Sequence, residues 1–130
     1  MQKEGKYLVD TSVWIDYFRH GQGNIFDQLE ILLTENKIVM CGPVEMEIFS
    51  GIRSKEKKRI LAIFEIMPFI SAEREDFRLA GNLINELRQQ GISVPPMDCL
   101  IAAMAIRRNL TLMTNDKHFD HFKSLKIWKA

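Results

Sequence analysis

The sequence predicts an α/β fold in which a mainly parallel sheet carries helices on both of its faces. Short β-prone runs alternate along the chain with longer segments whose apolar residues recur at helical spacing. Strands that are separated by helices need crossover connections, and such crossovers produce parallel pairing. The chain has 130 residues, enough to bury a real core, and we expect one domain over residues 1–130.

The first strand and its following helices occupy the first quarter of the chain. Residues 6–9 are β-prone, and residues 13–19 have the composition of a helix that the glycines at 21 and 23 interrupt. A second helix should follow, because four apolar residues then share one helical face: Ile25, Leu29, Leu32 and Leu33.

The second strand is predicted at residues 37–41, and two helices should follow it. Pro43 suits the first turn of the earlier helix, and Gly51 suits its end. Ser54 could cap the later helix, whose apolar stripe comprises Ile60, Leu61, Phe64 and Met67. No strand is assigned to residues 67–70.

Two further helices and two strands complete the predicted order. Ser71 could cap a helix that ends at Gly91, with an apolar face made of Phe77, Ala80, Leu83, Ile84 and Leu87. A strong helix should span residues 97–108. Strands are predicted at residues 110–113 and 125–128, with a short helical piece after Asn115 between them.

Composition and charge do not establish whether the protein binds a nucleic acid. The hydrophobic share is 46% and the charged share is 27%, both ordinary for a globular protein, and the net charge is only +1. A strongly basic nucleic-acid binder would carry a larger excess, so any contact with phosphates has to come from a local patch. The cluster at residues 55–59, Lys-Glu-Lys-Lys-Arg, is a candidate for such a patch, although a solvated helix start is the better explanation of it.

The start of the chain and its cysteines indicate the compartment. Residues 1–7 lack the apolar run of a signal peptide, and no apolar stretch approaches the ~20 residues of a membrane span. Cys41 and Cys99 have no zinc-type spacing and are expected to be small buried residues in a reducing environment. We therefore expect a soluble, cytoplasmic protein.

Two acids stand directly after two predicted strands. Asp10 follows the first strand, and Asp116 comes three residues after Met113. In an open parallel sheet, ligands bind beyond the carboxyl ends of the strands. Each acid also has a simpler explanation, since either one could cap the helix that follows it.

Two further acids lie on predicted helices. Glu47 flanks an apolar face on the helix after the second strand, where Glu45 is a rival that periodicity does not exclude. Asp98 shares a face with Ile101, Ala102 and Ala105, and a carboxylate there is costly unless it is paired or binds a cation. Its first-turn position would also suit a residue that only stabilises the helix dipole.

Taken together, the four acids predict a metal site. Four converging carboxylates repel one another, and a hard divalent cation with oxygen ligands relieves that repulsion. Mg²⁺ or Mn²⁺ fits, whereas zinc would favour histidine or cysteine ligands. The hydroxyls of Ser12 and Thr114 lie next to two of these acids in sequence and could support them.

The motifs around these acids resemble those of PIN domains. The resemblance rests on four segments in order: Val9-Asp10-Thr11-Ser12, Glu47-Ile48-Phe49-Ser50-Gly51, Asp98 with Leu100 to Ala103 and Ala105, and Thr114-Asn115-Asp116 with Phe119. Compact PIN proteins of this length are most similar to toxins of the VapC type. The likeness extends from about Lys6 to Trp128.

The resemblance implies an α/β/α sandwich and cleavage of RNA that depends on Mg²⁺ or Mn²⁺. It also implies a homodimer that is restrained by a small antitoxin protein. Asp10, Glu47, Asp98 and Asp116 match the family's catalytic and metal-binding acids, and Asp116 occupies the position that varies most among members. The alternatives are a housekeeping nuclease for RNA processing or DNA structures, and a non-catalytic binding module on the same fold.

Two other groups of residues are candidates for contacts. Near Asp116, one of Lys117, His118 and His121 could contact substrate or donate a proton, although a surface role explains them as well. An antitoxin helix could enter an apolar groove, or the same residues could be ordinary core. The groove candidates are Trp14, Phe18, Ile25, Leu29 and Leu33.

Overall fold

A computed structural model describes residues 6–128 and contains a five-stranded sheet in the order β3-β2-β1-β4-β5. Every neighbouring pair of strands is parallel, which confirms the predicted α/β class. The strands are β1 (Tyr7–Val9), β2 (Ile38–Cys41), β3 (Phe69–Ile70), β4 (Thr111–Met113) and β5 (Lys126–Trp128).

Six α-helices and one 3₁₀ helix connect the strands. The α-helices are α1 (Thr11–His20), α2 (Asn24–Thr34), α3 (Gly42–Gly51), α4 (Ser54–Glu65), α5 (Arg74–Gln89) and α6 (Pro96–Arg107). The 3₁₀ helix, Lys117–His121, joins β4 to β5. Among the described residues, no helix is both long and apolar enough to cross a membrane.

The order of the strands reverses its direction at β1. From β1 the chain moves outward through β2 to β3, and it then returns across the sheet to β4 on the other side of β1. Because crossovers between parallel strands are almost always right-handed, this reversal sends α1 to α4 to one face and α5 and α6 to the other. The crevice between the ends of β1 and β4 is therefore the place where an open parallel sheet binds its ligand.

The core explains why these segments adopt their elements. Every residue of β2 is buried, as are Leu8 and Val9 of β1, as expected for central strands that are covered on both faces. In α6 the buried run is continuous over residues 101–105, so the small-residue face predicted for this helix packs closely. Cys41 and Cys99 are free and buried, as predicted.

Glycine ends two helices in the predicted manner. Gly21 after α1 has a φ of +65°, and Gly91 after α5 has a φ of +77°, both in the left-handed region that favours glycine. The predicted bounds of the helices and strands otherwise agree with the observed ones to within about two residues, apart from the start of the fifth helix.

Several details of the prediction were wrong. Residues 69 and 70 form β3, an edge strand that is too short to show an alternation of apolar and polar residues in the sequence. Ser71 does not cap α5, because Glu73 and Asp76 form a capping box there instead. Phe77 and Leu61 were assigned to apolar stripes but are 57% and 39% exposed. No side chain caps α4, which follows Arg53.

The buried carboxylate of Asp76 links the start of α5 to the end of α6 through hydrogen bonds. Asp76 is fully buried, and its two oxygens accept hydrogen bonds from Arg108 at 2.8 Å each. Arg107 donates a further bond to Asp76 at 2.9 Å, and the backbone N–H of Glu73 donates another at 2.7 Å. The hydrogen bonds from Arg108, more than any other contact, hold the pKa of the Asp76 carboxyl well below its usual range.

These contacts predict that Asp76→Asn lowers the free energy of unfolding. Removing the charge takes the buried partner from two arginines whose other acid, Glu73, is exposed, and we expect a cost of about 2–4 kcal/mol in the free energy of unfolding by urea. Because the pKa is depressed in the folded state, this stabilisation is present above the unfolded pKa of about 4 and is lost as the pH falls below it. The difference between wild type and variant should therefore shrink from pH 6 towards pH 3, and a difference that does not change with pH would contradict this account.

Candidate active site

The four predicted acids all lie around the switch point between β1 and β4. Asp10 follows β1 directly, and its backbone N–H donates to the carbonyl of Met113 at the end of β4, at 2.9 Å. Asp116 lies just before the 3₁₀ helix that leaves β4. Asp98 lies in the first turn of α6, and Glu47 lies in the middle of α3.

Asp10 is held by two hydroxyl groups. It is only 4% exposed, and its Oδ2 accepts hydrogen bonds from Ser12 at 2.8 Å and from Thr114 at 2.9 Å. Its side chain makes no capping hydrogen bond to α1, so the capping explanation for this residue is wrong. The two hydroxyls fix one carboxylate oxygen, and the other has no hydrogen-bond donor in the described part of the chain.

Glu47 is half-buried and is hydrogen-bonded by the residue after Asp10. The hydroxyl of Thr11 donates to Oε1 of Glu47 at 2.6 Å, which joins the start of α1 to α3. The rival acid, Glu45, is influenced by a different group. Burial and the charge of Glu65, in the last turn of α4, raise the pKa of Glu45. The charge of Glu47, and not that of Glu45, acts on Asp98.

The pKa of Asp98 depends on its burial and on the charges of the other three acids. Asp98 is 8% exposed, and burial raises the pKa of its carboxyl to about 6. The charges of Asp10, Asp116 and Glu47 raise this pKa further, while a hydrogen bond with His118 lowers it. The charges of all three other acids therefore act on Asp98.

His118 bridges two of the acids and was not singled out by the sequence. Its Nδ1 lies 3.3 Å from Oδ2 of Asp98 and 3.3 Å from Oδ1 of Asp116. Asp116 also accepts a bond from the backbone N–H of His118 at 2.9 Å, so this acid does cap the 3₁₀ helix. The sequence placed His118 only among three candidates near Asp116, because its contact with Asp98 spans twenty residues.

Hydrogen bonds connect the loop that follows β4 to α1. The backbone N–H of Asn115 donates to the Ser12 hydroxyl at 3.1 Å, and its side chain donates to Asp16 at 2.9 Å. The backbone N–H of Asp116 donates to the Thr114 hydroxyl at 2.9 Å. Ser12 and Thr114 thus each contact Asp10 and also fix the segment that carries Asp116.

The donor set of this site suits a divalent cation. Asp98, Asp116 and His118 each present one ligand atom, and these three atoms lie within 4.8 Å of one another. Asp10 and Glu47 are outside that group, but their charges act on it through Asp98. A set dominated by carboxylate oxygens that repel one another fits a hard cation such as Mg²⁺ or Mn²⁺.

The fold and the site together define an α/β protein with an acidic site at the switch point of a parallel sheet. The chain belongs to the PIN domain family, whose model matches residues 7–125. Ribonuclease VapC11 of Mycobacterium tuberculosis is 35% identical to it over 118 residues, which cover 87% of this chain and 88% of that protein. Ribonuclease VapC1 of Methanocaldococcus jannaschii is 32% identical over 131 residues, covering 98% of this chain and 90% of the relative.

A solved structure agrees with this family relationship. The chain resembles one in VapBC2 from Rickettsia felis, a complex that was solved bound to a DNA fragment from its promoter. The TM-score is 0.80 at 25% identity, and the match covers 95% of this chain and 98% of the other.

The raised pKa of Asp98 predicts that its charge destabilises the metal-free fold. A carboxyl with a raised folded pKa stabilises most below its unfolded pKa of about 4, and this contribution is lost as the pH rises through about 6. In EDTA at pH 7, Asp98→Asn should therefore be more stable than wild type by about 1–2 kcal/mol, with no advantage at pH 4. Urea unfolding at both pH values measures this.

The control for this experiment is Asp27→Asn, because Asp27 is exposed in the first turn of α2. The change in unfolding free energy caused by Asp27→Asn should not depend on pH in the way expected for Asp98→Asn. A less stable Asp98→Asn at pH 7 would show that this charge is already compensated without a metal.

Proposed function

We propose that this protein is a metal-dependent endoribonuclease and the toxin of a toxin–antitoxin pair. The observation that carries the proposal is the meeting of Asp10, Glu47, Asp98 and Asp116 at the end of the parallel sheet. Three of them raise the pKa of the fourth, which indicates a compact negative site and not a set of separate surface charges. The names of the relatives supply the substrate class, because they are ribonucleases of the VapC type.

The chemistry follows from the residues that surround the site. When bound, Mg²⁺ or Mn²⁺ would activate water and offset negative charge at the phosphodiester. Asp98 and Asp116 are positioned to hold the ion, with Asp10 and Glu47 completing the set of acids. Ser12 and Thr114 orient Asp10 so that one of its oxygens remains available.

His118 has a separate role in this proposal. Its Nδ1 lies 3.3 Å from a carboxylate oxygen of each of Asp98 and Asp116, and it is within hydrogen-bonding distance of Asp98. It could remain as a nitrogen ligand or turn outward, since it is 48% exposed. In the inward position it lies next to both carboxylates, and in the outward position it leaves them to the ion.

A groove with both apolar and charged lining leads to this site and suits the proposed antitoxin. Its volume is about 430 Å³, and it lies between α1, α3 and α4 with Glu47 at one point of its wall. Its aliphatic and aromatic lining comes from all three helices, and charged groups from Arg19, Arg53 and Glu56 lie among these side chains. A helix that presents apolar anchors could bury them here, and a polar residue of that helix could reach the acids.

The sequence identified this groove only in part. Phe18 lines it, but Trp14 and Leu29 are fully buried core residues, and Ile25 and Leu33 do not line it. Trp14 packs against Phe18 and Phe64 at centroid distances of 5.7 and 5.2 Å, so it supports the groove from beneath. Arg59, from the basic cluster, lies 5.4 Å from the centre of the Phe18 ring.

Several large apolar side chains remain exposed outside the groove. Met46, Ile66, Phe69 and Phe77 are 54%, 81%, 54% and 57% exposed. These side chains belong to different elements, and a homodimer of the kind that the family resemblance implies would be expected to cover some of them. Sedimentation equilibrium of the isolated protein measures the state of association.

Asp98→Asn is expected to abolish most RNA cleavage. The substitution preserves shape but removes a charge that holds the ion, so cleavage of total RNA in Mn²⁺ should fall about a hundredfold or more. The matched control is Asp27→Asn, which removes an exposed charge away from the site and should keep wild-type activity. Full activity of a folded Asp98→Asn protein would contradict both the site and the proposed function.

Expression of the wild type alone should arrest growth, and co-expression of its cognate small antitoxin protein should relieve the arrest. Ile15→Asp places a charge in the groove at a side chain that is already 36% exposed, so the fold should tolerate it. We expect the variant to bind that protein at least tenfold more weakly, whereas Ile66→Asp, outside the groove, should bind normally. Equal binding of both variants would exclude this groove, and a wild type that is harmless when free would favour a housekeeping nuclease.

A further inference from the structure

We propose that Thr11 is a positioning residue that fixes the carboxylate of Glu47 for the metal site. The inference rests on the function proposed above and adds a residue that touches neither the ion nor the substrate. Its basis is the hydrogen bond of 2.6 Å from the Thr11 hydroxyl to Oε1 of Glu47, two residues that lie 36 positions apart.

The geometry places Thr11 where it can act on Glu47 alone. Thr11 is the first residue of α1, directly after Asp10, and Glu47 lies on α3, which packs against α1. Asp10 is held separately by Ser12 and Thr114. Adjacent residues of one short segment therefore hold two different acids, Ser12 acting on Asp10 and Thr11 acting on Glu47.

Glu47 depends on this bond more than Asp10 or Asp116 depends on any one contact. Asp10 has two hydroxyl donors, and Asp116 has a backbone donor as well as His118. Among the described residues, Thr11 is the one side chain that donates a hydrogen bond to Glu47. Without it, a long side chain with several rotatable bonds is free to turn away from three acids that repel it.

The bond also determines which oxygen of Glu47 remains available. The Thr11 hydroxyl occupies Oε1, so Oε2 is left to face an ion or a water that the ion holds. Groups that orient metal ligands in this way commonly change metal affinity or activity by 10–100-fold when they are removed. The expected effect of Thr11 lies in this range.

The test compares Thr11→Val, which keeps the shape and removes the hydroxyl, with Thr11→Ser, which keeps the hydroxyl. Titration calorimetry with Mn²⁺ alone should show binding that is about tenfold weaker for Thr11→Val and close to wild type for Thr11→Ser. With RNA, kcat should fall by a similar factor while KM changes little. Thr34→Val is the matched control, because the Thr34 hydroxyl contacts the carbonyl of Glu30 on α2.

A double-mutant cycle separates positioning from a general effect on the fold. If Thr11 acts through Glu47, Thr11→Val should weaken Mn²⁺ binding in the wild type and have no further effect in a Glu47→Gln background. Melting temperatures in EDTA should be alike for wild type, Thr11→Val and Thr34→Val, so that a loss of binding cannot be assigned to unfolding.

Each failure points to a different conclusion. Unchanged Mn²⁺ affinity and kcat in Thr11→Val, with an active wild type, would overturn this inference and leave the proposed function intact. The same effect of Thr11→Val with and without Glu47 would also overturn it. A wild type that neither binds Mn²⁺ nor cleaves RNA would overturn the proposed function, and this inference with it.

Discussion

Four carboxylates lie around the carboxyl ends of β1 and β4, where the charges of three of them act on the fourth, and the surrounding structure keeps them there. The fourth is Asp98, whose pKa is raised to about 6 by burial and by the charges of the other three acids. A fold that keeps such a cluster without a bound ion gives up stability. The cluster is therefore best understood as a site that a cation completes.

Three kinds of contact hold the four acids in place. Hydroxyl groups hold Asp10 and Glu47, while the 3₁₀ helix and its histidine hold Asp116. Asp98 is placed by α6, whose buried run of small and aliphatic residues packs closely. At its other end, α6 is fixed by the bonds from Arg107 and Arg108 to Asp76. The site is thus rigid because its supports belong to several elements and to both faces of the sheet.

The sequence predicted the class of fold and the location of the acids because both follow from local patterns. A strand that ends in Asp10, and a helix whose apolar face carries Asp98, are visible within a few residues. The contacts that organise the acids are not local. His118 meets Asp98 across twenty positions, and Thr11 meets Glu47 across thirty-six. Strand β3 has only two residues, and the capping box of α5 uses glutamate and aspartate in place of the expected serine.

The most direct measurement is the anomalous scattering of Mn²⁺ in crystals of the wild-type protein. We predict a Mn²⁺ peak next to the carboxylates of Asp98 and Asp116. Asp10 and Glu47 should contact the ion directly or through its bound waters. Saturating Mn²⁺ that gives no peak at the end of the sheet, or a peak only at some other surface, would contradict the claim that these four acids form one metal site.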